Sequence, residues 1–173
     1  AIAGAGIANH AEFNAVPRNL AAIIPEGTSD EEACYGTLSS IALHAVRNVD
    51  SKLGETVAVV GLGLIGQLVC QLLRLAGARA IAIDFDKQRL DVADSLGAEL
   101  SINPEWPDAV EQVMSHTSRK GCDGIIIAAA TSSNQPFEFA AAVARDRAKV
   151  CMVGLTGTKF PYAPFMQKEL SVV

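Results

Sequence analysis

The sequence predicts a doubly wound α/β fold, a parallel sheet with helices on both faces, from three observations. Strand-length runs at residues 57–60, 80–83 and 124–129 are apolar on both faces, as strands inside a parallel sheet must be, and a further strand reads at 148–153. Segments of helical periodicity separate them, and such alternation implies right-handed βαβ crossovers. Three glycines, Gly61, Gly63 and Gly66, then stand at GxGxxG spacing at the first strand-to-helix turn.

The elements follow in order. Residues 1–27 lack helical periodicity; Phe13, Ala15 and residues 20–24 read as short strands divided by Pro17 and closed by Pro25. Ser29 stands three residues before Glu32, a capping box. Ala33, Leu38, Ile41, Ala42, Ala45 and Val46 continue at helical spacing, predicting a helix over about 30–48. Gly54 turns the chain into the first buried strand, 57–60, and a helix over 64–76 follows the glycines. Strand 80–83 ends in Asp84; helix 87–96 stops at Gly97; 100–102 is a weak strand broken by Asn103-Pro104. A helix over 107–118 buries Val110, Val113 and Met114. After strand 124–129, the loop 131–134 leads into a helix from about Pro136, with Phe139, Ala140, Val143 and Ala144 expected inward. Strand 148–153 and the start of a sixth strand at 169–173 complete the series. The expected division is 1–28, a short β segment of another domain, and 29–173, the parallel-sheet domain.

The glycines have distinct physical tasks. Gly61 permits the tight turn, Gly63 lets backbone N–H groups approach a pyrophosphate, and Gly66 lets the helix lie close to the sheet. The helix then presents its positive end to the phosphates, with Leu64 and Ile65 in its first turn. Asp84 follows Gly66 by eighteen residues, near the spacing of about 20 at which an acid holds the adenosine ribose. A glycine triplet alone is a flexible turn, and a strand-end acid alone is ordinary. Strand, turn, helix, strand and acid together read as a dinucleotide site. In a doubly wound sheet that site lies outside the carboxyl ends of the strands, where residues 61–66, Asp84, 130–134 and 154–157 all fall.

Composition narrows the classes. The net charge of −5, with no basic cluster, argues against nucleic acid or an anionic membrane as partner. Cys34, Cys70, Cys122 and Cys151 are widely spaced, without a CxxC pair, and read as packed thiols of a reduced compartment. No apolar run reaches transmembrane length and no signal peptide is recognisable, so a cytoplasmic location is expected. The chain opens at Ala1 and closes on a strand pattern, so a piece of a longer protein is expected.

The string IPEGTSDEEA, a helix, and then GETVAVVGLGLIGQLVCQLLRLAGARAIAIDFDKQRLDVADSLGAE resemble the zinc-type medium-chain dehydrogenase/reductase superfamily of alcohol, sorbitol and threonine dehydrogenases. The resemblance runs from about Gly4 to Val173. It implies that residues 1–28 end a GroES-like catalytic domain and that 29–173 form a Rossmann coenzyme domain. It implies further that Gly61, Gly63, Leu64, Ile65 and Gly66 cradle the pyrophosphate and Asp84 holds the ribose, that Ala130 and Thr131 lie along the cofactor, and that Val153, Gly154 and Leu155 approach the nicotinamide. The implied cofactor is NAD, with NADP disfavoured by the charge of Asp84. Lys87 and Arg89 suggest a 2′-phosphate clamp, yet Asp84 would repel that phosphate.

Zinc is where the chain departs from the resemblance. Thr37 falls where the family places a cysteine ligand, with Cys34 three residues earlier, and the family's remaining ligands would lie before Ala1. A catalytic zinc is therefore doubtful and no catalytic residue is assigned. His10 and His44 could contact substrate but read more simply as surface or interface histidines, and His116 as solvated or capping a helix. The expected function is the NAD(H)-binding portion of an alcohol or polyol dehydrogenase acting on a small alcohol or carbonyl substrate, and a homo-oligomer. A non-catalytic nucleotide-sensing or assembly module and a flavin-binding domain are the alternatives.

Overall fold

The computed structural model describes the backbone of residues 2–3 and all of residues 11–159 and 161–173. The chain divides into two compact units, Ala1–Ile41 and Ala42–Val173. In the first, β1 (Ile2–Ala3) pairs antiparallel with β2 (Ala21–Ala22). The expected strands near Phe13 and Ala15 do not form, and Phe13 is 90% exposed. Pro17 (φ −58°) instead starts a 3-10 turn over Arg18–Leu20, with the Leu20 N–H donating to the Pro17 carbonyl at 2.9 Å. Of 20–24, only Ala21–Ala22 is strand.

The capping box forms as the sequence predicts. Glu32 N–H donates to Ser29 Oγ at 3.2 Å, and Ser29 N–H donates to Glu32 Oε2 at 2.9 Å. Those bonds from Ser29 hold the Glu32 carboxyl below its usual pKa. The single helix expected over 30–48 is broken: α1 (Asp30–Ala33) stops, and α2 (Gly36–Val49) restarts after Cys34 and Tyr35. Tyr35 N–H reaches the Glu32 carbonyl at 3.3 Å, a tightened i−3 bond, and Gly36, a weak helix former, stands at the restart.

Among the described residues of the second unit, six parallel strands run in the order β5-β4-β3-β6-β7-β8. They are β3 (Thr56–Val60), β4 (Arg79–Ile83), β5 (Leu100–Ile102), β6 (Cys122–Ile127), β7 (Ala144–Met152) and β8 (Ser171–Val172). The order reverses between β3 and β6, whose Val60 and Ile127 are in register. The doubly wound Rossmann sheet is thus present. Alternation explains the continuous apolar runs: Val57, Val59, Ala80, Ala82 and Ile126 enter one core, while Ala58, Val60, Ile81, Ile83, Ile125 and Ile127 enter the other. The first core receives α2, α3 (Leu64–Leu75) and α4 (Lys87–Ser95). The second receives α5 (Ala109–His116), α6 (Gln135–Val143) and α7 (Tyr162–Gln167).

Further details differ from expectation, beginning with Val110 of α5, expected inward but 38% exposed. The inward face of α6 is carried by Phe137, Ala140, Ala141 and Val143; Phe139 is half-buried, and Ala144 already belongs to β7. Helix α7 went unforeseen because Pro161 and Pro164 bracket its first turn, and β8 is shorter than 169–173 because Glu169 takes a positive φ of 52°. Cys70, Cys122 and Cys151 are buried, with burial pushing the first two thiols up to about 12, but Cys34 is exposed and its thiol donates to the Glu31 carbonyl at 2.9 Å. It is not the packed thiol expected.

Candidate functional site

The site grows from the β3–α3 turn. Gly61 takes φ +93°, open to glycine, and a Cβ there would lie 2.6 Å from Ala129 Cα. A Cβ on Gly66 would run into the Gly61 carbonyl oxygen, so Gly66 lets the first turn of α3 close onto the turn before it. Gly63 is different: its φ is an ordinary −65°, and a Cβ there would meet no protein atom within 4 Å. The fold does not require glycine at that position. No side chain caps α3, so its first-turn N–H groups, which lack intrahelical acceptors, face the opening.

Asp84, 8% exposed, ties the turn to the neighbouring strand. Its Oδ2 accepts from Leu62 N–H at 2.6 Å and its Oδ1 accepts from Asp86 N–H at 2.9 Å. Arg89 approaches with Nη1 3.5 Å from Asp84 Oδ2 and Nε 3.7 Å from Asp86 Oδ2. Oδ2 is thus shared between Leu62 N–H and Arg89, while Oδ1 has one backbone donor and a further acceptor direction. Asp84 therefore shapes the turn and still offers a negative edge. Lys87 pairs with Asp91 at 2.7 Å along α4, so of the two cations only Arg89 turns toward Asp84.

A cavity of about 790 Å³ opens at the carboxyl ends of β3, β4 and β6. Gly61, Gly63, Asp84, Ala130 and Thr131, all expected site residues, line it. Leu64, Ile65 and Gly66 lie in the helical turn behind, with Leu64 and Gly63 facing a smaller depression of about 420 Å³ that Arg89 shares. Val153, Gly154 and Leu155 do not line the main cavity. They lie beside its wall: Val153 and Gly154 N–H donate to the Ile127 carbonyl at 2.9 Å each, and Thr131 N–H donates to the Leu155 carbonyl at 2.8 Å. A Cβ on Gly154 would collide with the Ala129 carbonyl oxygen, so the two loops meet closely.

Sequence reasoning missed the far wall, Phe85, Glu105, Val110, Glu138 and Phe139. The signals were faint. Asn103 Nδ2–H donates to the Phe85 carbonyl at 3.3 Å, and its Oδ1 accepts from Glu105 N–H at 2.9 Å, so one asparagine gathers two loops there. The histidines are scattered: His44 is exposed and pairs with Asn48 at 3.0 Å, His116 pairs with Glu99 at 3.3 Å near the end of α5, and His10 lies outside the described residues. Thr37 lies in the first turn of α2. Among the described residues no group of three His, Cys, Asp or Glu side chains converges as a metal ion needs.

The model of a family described as "Zinc-binding dehydrogenase" matches residues 65–173. The chain belongs to this family. By sequence it is a member of the zinc-type medium-chain dehydrogenase/reductase superfamily, and the solved relatives share its fold. D-guloside 3-dehydrogenase of Escherichia coli (strain K12) is 36% identical over 116 residues, 66% of this chain and 33% of that protein. A protein of E. coli CFT073 described as a short chain alcohol dehydrogenase and complexed with NADH superimposes with a TM-score of 0.79 at 25% identity, over 91% of this chain and 47% of that one. A Sinorhizobium meliloti 1021 protein classed with the zinc-binding dehydrogenases and bound to NADP gives 0.81 at 27% identity, over 91% and 47%. The chain spans about a third of the length of the curated relatives it matches. Among the described residues no helix is long and apolar enough to cross a membrane.

Proposed function

We propose that this chain is the NAD(H)-binding portion of a dehydrogenase that exchanges a hydride between a small alcohol or polyol and its carbonyl product. The observation that carries this reading is the space at Gly63, kept open beside the uncapped end of α3 while Gly61, Gly66 and Asp84 hold the turn around it. The residues fit a dinucleotide. Gly63, Leu64 and Ile65 would offer N–H groups to the pyrophosphate, and the positive end of α3 would offset its charge. Asp84 would accept from ribose hydroxyls, and Ala130 and Thr131 would lie along the cofactor, with Val153, Gly154 and Leu155 toward the nicotinamide end. The bound nicotinamide supplies the hydride chemistry; the chain's share is to bind and orient it.

NAD(H) is preferred over NADP(H) in this reading because a 2′-phosphate would meet the fixed charge of Asp84. The family relatives above include one complex with each cofactor, so the preference rests on Asp84. Calorimetric titration with NADH and NADPH tests it: tighter NADH binding is expected, and equal or tighter NADPH binding contradicts it. The described residues do not fit a zinc site, so no step here runs through a metal. Residues 1–28 are assigned to the end of a GroES-like catalytic domain, and proton transfer to that domain. The parent enzyme is expected to be a cytoplasmic homo-oligomer pairing through the exposed edge of β8, where Val172 is 45% exposed. Sedimentation of a V172K variant checks that pairing, and unchanged association would contradict it.

A further inference from the structure

Helix α6 forms one wall of the cavity through Gln135, Glu138, Phe139 and Ala142, and is held from behind by α7. Phe137 on its hidden side meets Phe165 of α7, ring centroids 6.1 Å apart and tilted by 58°. The end of α6 is abrupt: β7 begins at Ala144, directly after Val143, so no loop residue turns back to cap the helix. The last carbonyls of a helix lack intrahelical donors. Lys168 supplies them from outside. Its Nζ donates to the carbonyls of Ala141 at 2.6 Å and Ala144 at 2.7 Å and reaches that of Ala142 at 3.4 Å. The cation also faces the negative end of the helix. Burial pulls the Lys168 pKa down, while Asp146 pulls it up. Its backbone is fixed in turn, because Arg147 N–H donates to the Lys168 carbonyl at 2.6 Å.

We propose that Lys168 is a positioning residue for the dinucleotide: by holding the end carbonyls of α6 it fixes the wall that Ala142, Phe139 and Glu138 present to the cavity. Lys168 does not itself line the cavity, so its effect passes through α6. The proposal rests on reading the cavity as the cofactor site. Without Lys168 the carbonyls at the end of α6 lose their donor, and the last turn, where Ala142 lies, is held by the burial of Ala141 and Val143 alone.

The test is NADH titration of the full chain by calorimetry, well below the melting midpoint, on wild type, K168M and K168R, with the melting midpoint of each unliganded protein. K168M keeps the apolar stem and loses the donors; binding weaker by on the order of tenfold is expected, with most of it recovered in K168R. A merely structural role would lower the K168M midpoint and leave its NADH affinity at the wild-type value, which would overturn the proposal. Should K168M not fold, K168Q carries the same comparison: affinity between wild type and a tenfold loss supports the proposal, and wild-type affinity overturns it. Wild type that binds neither NADH nor NADPH overturns the reading of the cavity and this inference with it. Wild type that binds NADH, with K168M equally tight, overturns the role of Lys168 alone.

Discussion

Strand β3 has a carboxylate clamp at each end, and the two clamps serve different ends. At the amino end Asp123 Oδ2 accepts from Thr56 N–H at 2.8 Å and its Oδ1 accepts from Arg145 Nε–H at 2.7 Å. Arg145 also donates to the Asp146 carbonyl at 2.8 Å, and neither Asp123 nor Arg145 lines the cavity at the other end of the strand. At the carboxyl end Asp84 takes the same kind of backbone donor, Leu62 N–H, but borders a cavity and a glycine whose side-chain direction is empty. The same device closes structure at one end and leaves room for a ligand at the other. Chemistry alone does not mark a site; the space left beside it does.

Gly66 should give the largest effect at the carboxyl end. Because a Cβ there meets backbone, G66V is expected to lose several kcal/mol of stability, on the scale of about 1–3 for overpacking plus the displaced turn. NADH binding should fall below detection. Denaturant unfolding and titration check both, and a stable, binding G66V would break the account of the turn.

The clamps themselves separate next. D84A removes the charged acceptor of two backbone N–H groups, Leu62 and Asp86, and D123A that of Thr56 N–H and the Arg145 guanidinium, a loss of about 2 kcal/mol or more apiece. Only D84A should also weaken NADH, by about tenfold, and narrow the gap between NADH and NADPH. If D123A weakened NADH as much as D84A, the distinction between the two ends would fail.

How much of this was legible in the sequence differs between the clamps and between the walls. The strands of the sheet were readable because burial on both faces leaves an uninterrupted apolar run, as at 57–60 and 80–83. Gly61, Gly63, Gly66 and Asp84 were readable because spacing encodes the turn. The cavity's far wall was not, because Phe139 and Val110 look like ordinary inward residues, and only tertiary placement decides that Phe137 is buried while Phe139 borders the opening. Lys168 was invisible for a related reason: its partners lie 24 to 27 residues away and are backbone carbonyls, which carry no residue-type signal. The break between α1 and α2 was hidden by a capping box and an apolar period that continue across it.

A smaller effect concerns the core thiols that neither clamp touches. Burial raises Cys70 and Cys122 from 9.0 to about 12, so each favours the folded state fully below pH 9 and loses that contribution as pH climbs toward 12. Stability measured by denaturant should therefore fall across that window, and the fall should be shallower in C122A. Thiol reagents should modify exposed Cys34 first, and labelling of Cys122 in the native state would contradict its burial.

The most direct measurement is on G63A. Ordinary backbone angles and the absence of protein atoms within 4 Å mean that alanine meets no clash there, and its cost to the fold is limited to the weaker N-cap it makes for α3, about 1 kcal/mol or less. The methyl group would occupy the space in which a pyrophosphate is proposed to meet the end of α3. A melting midpoint within about 4 °C of wild type together with NADH binding weakened by tenfold or more is the predicted pair of results. Wild-type NADH affinity in a fully stable G63A would contradict the claim that this space is kept for the cofactor.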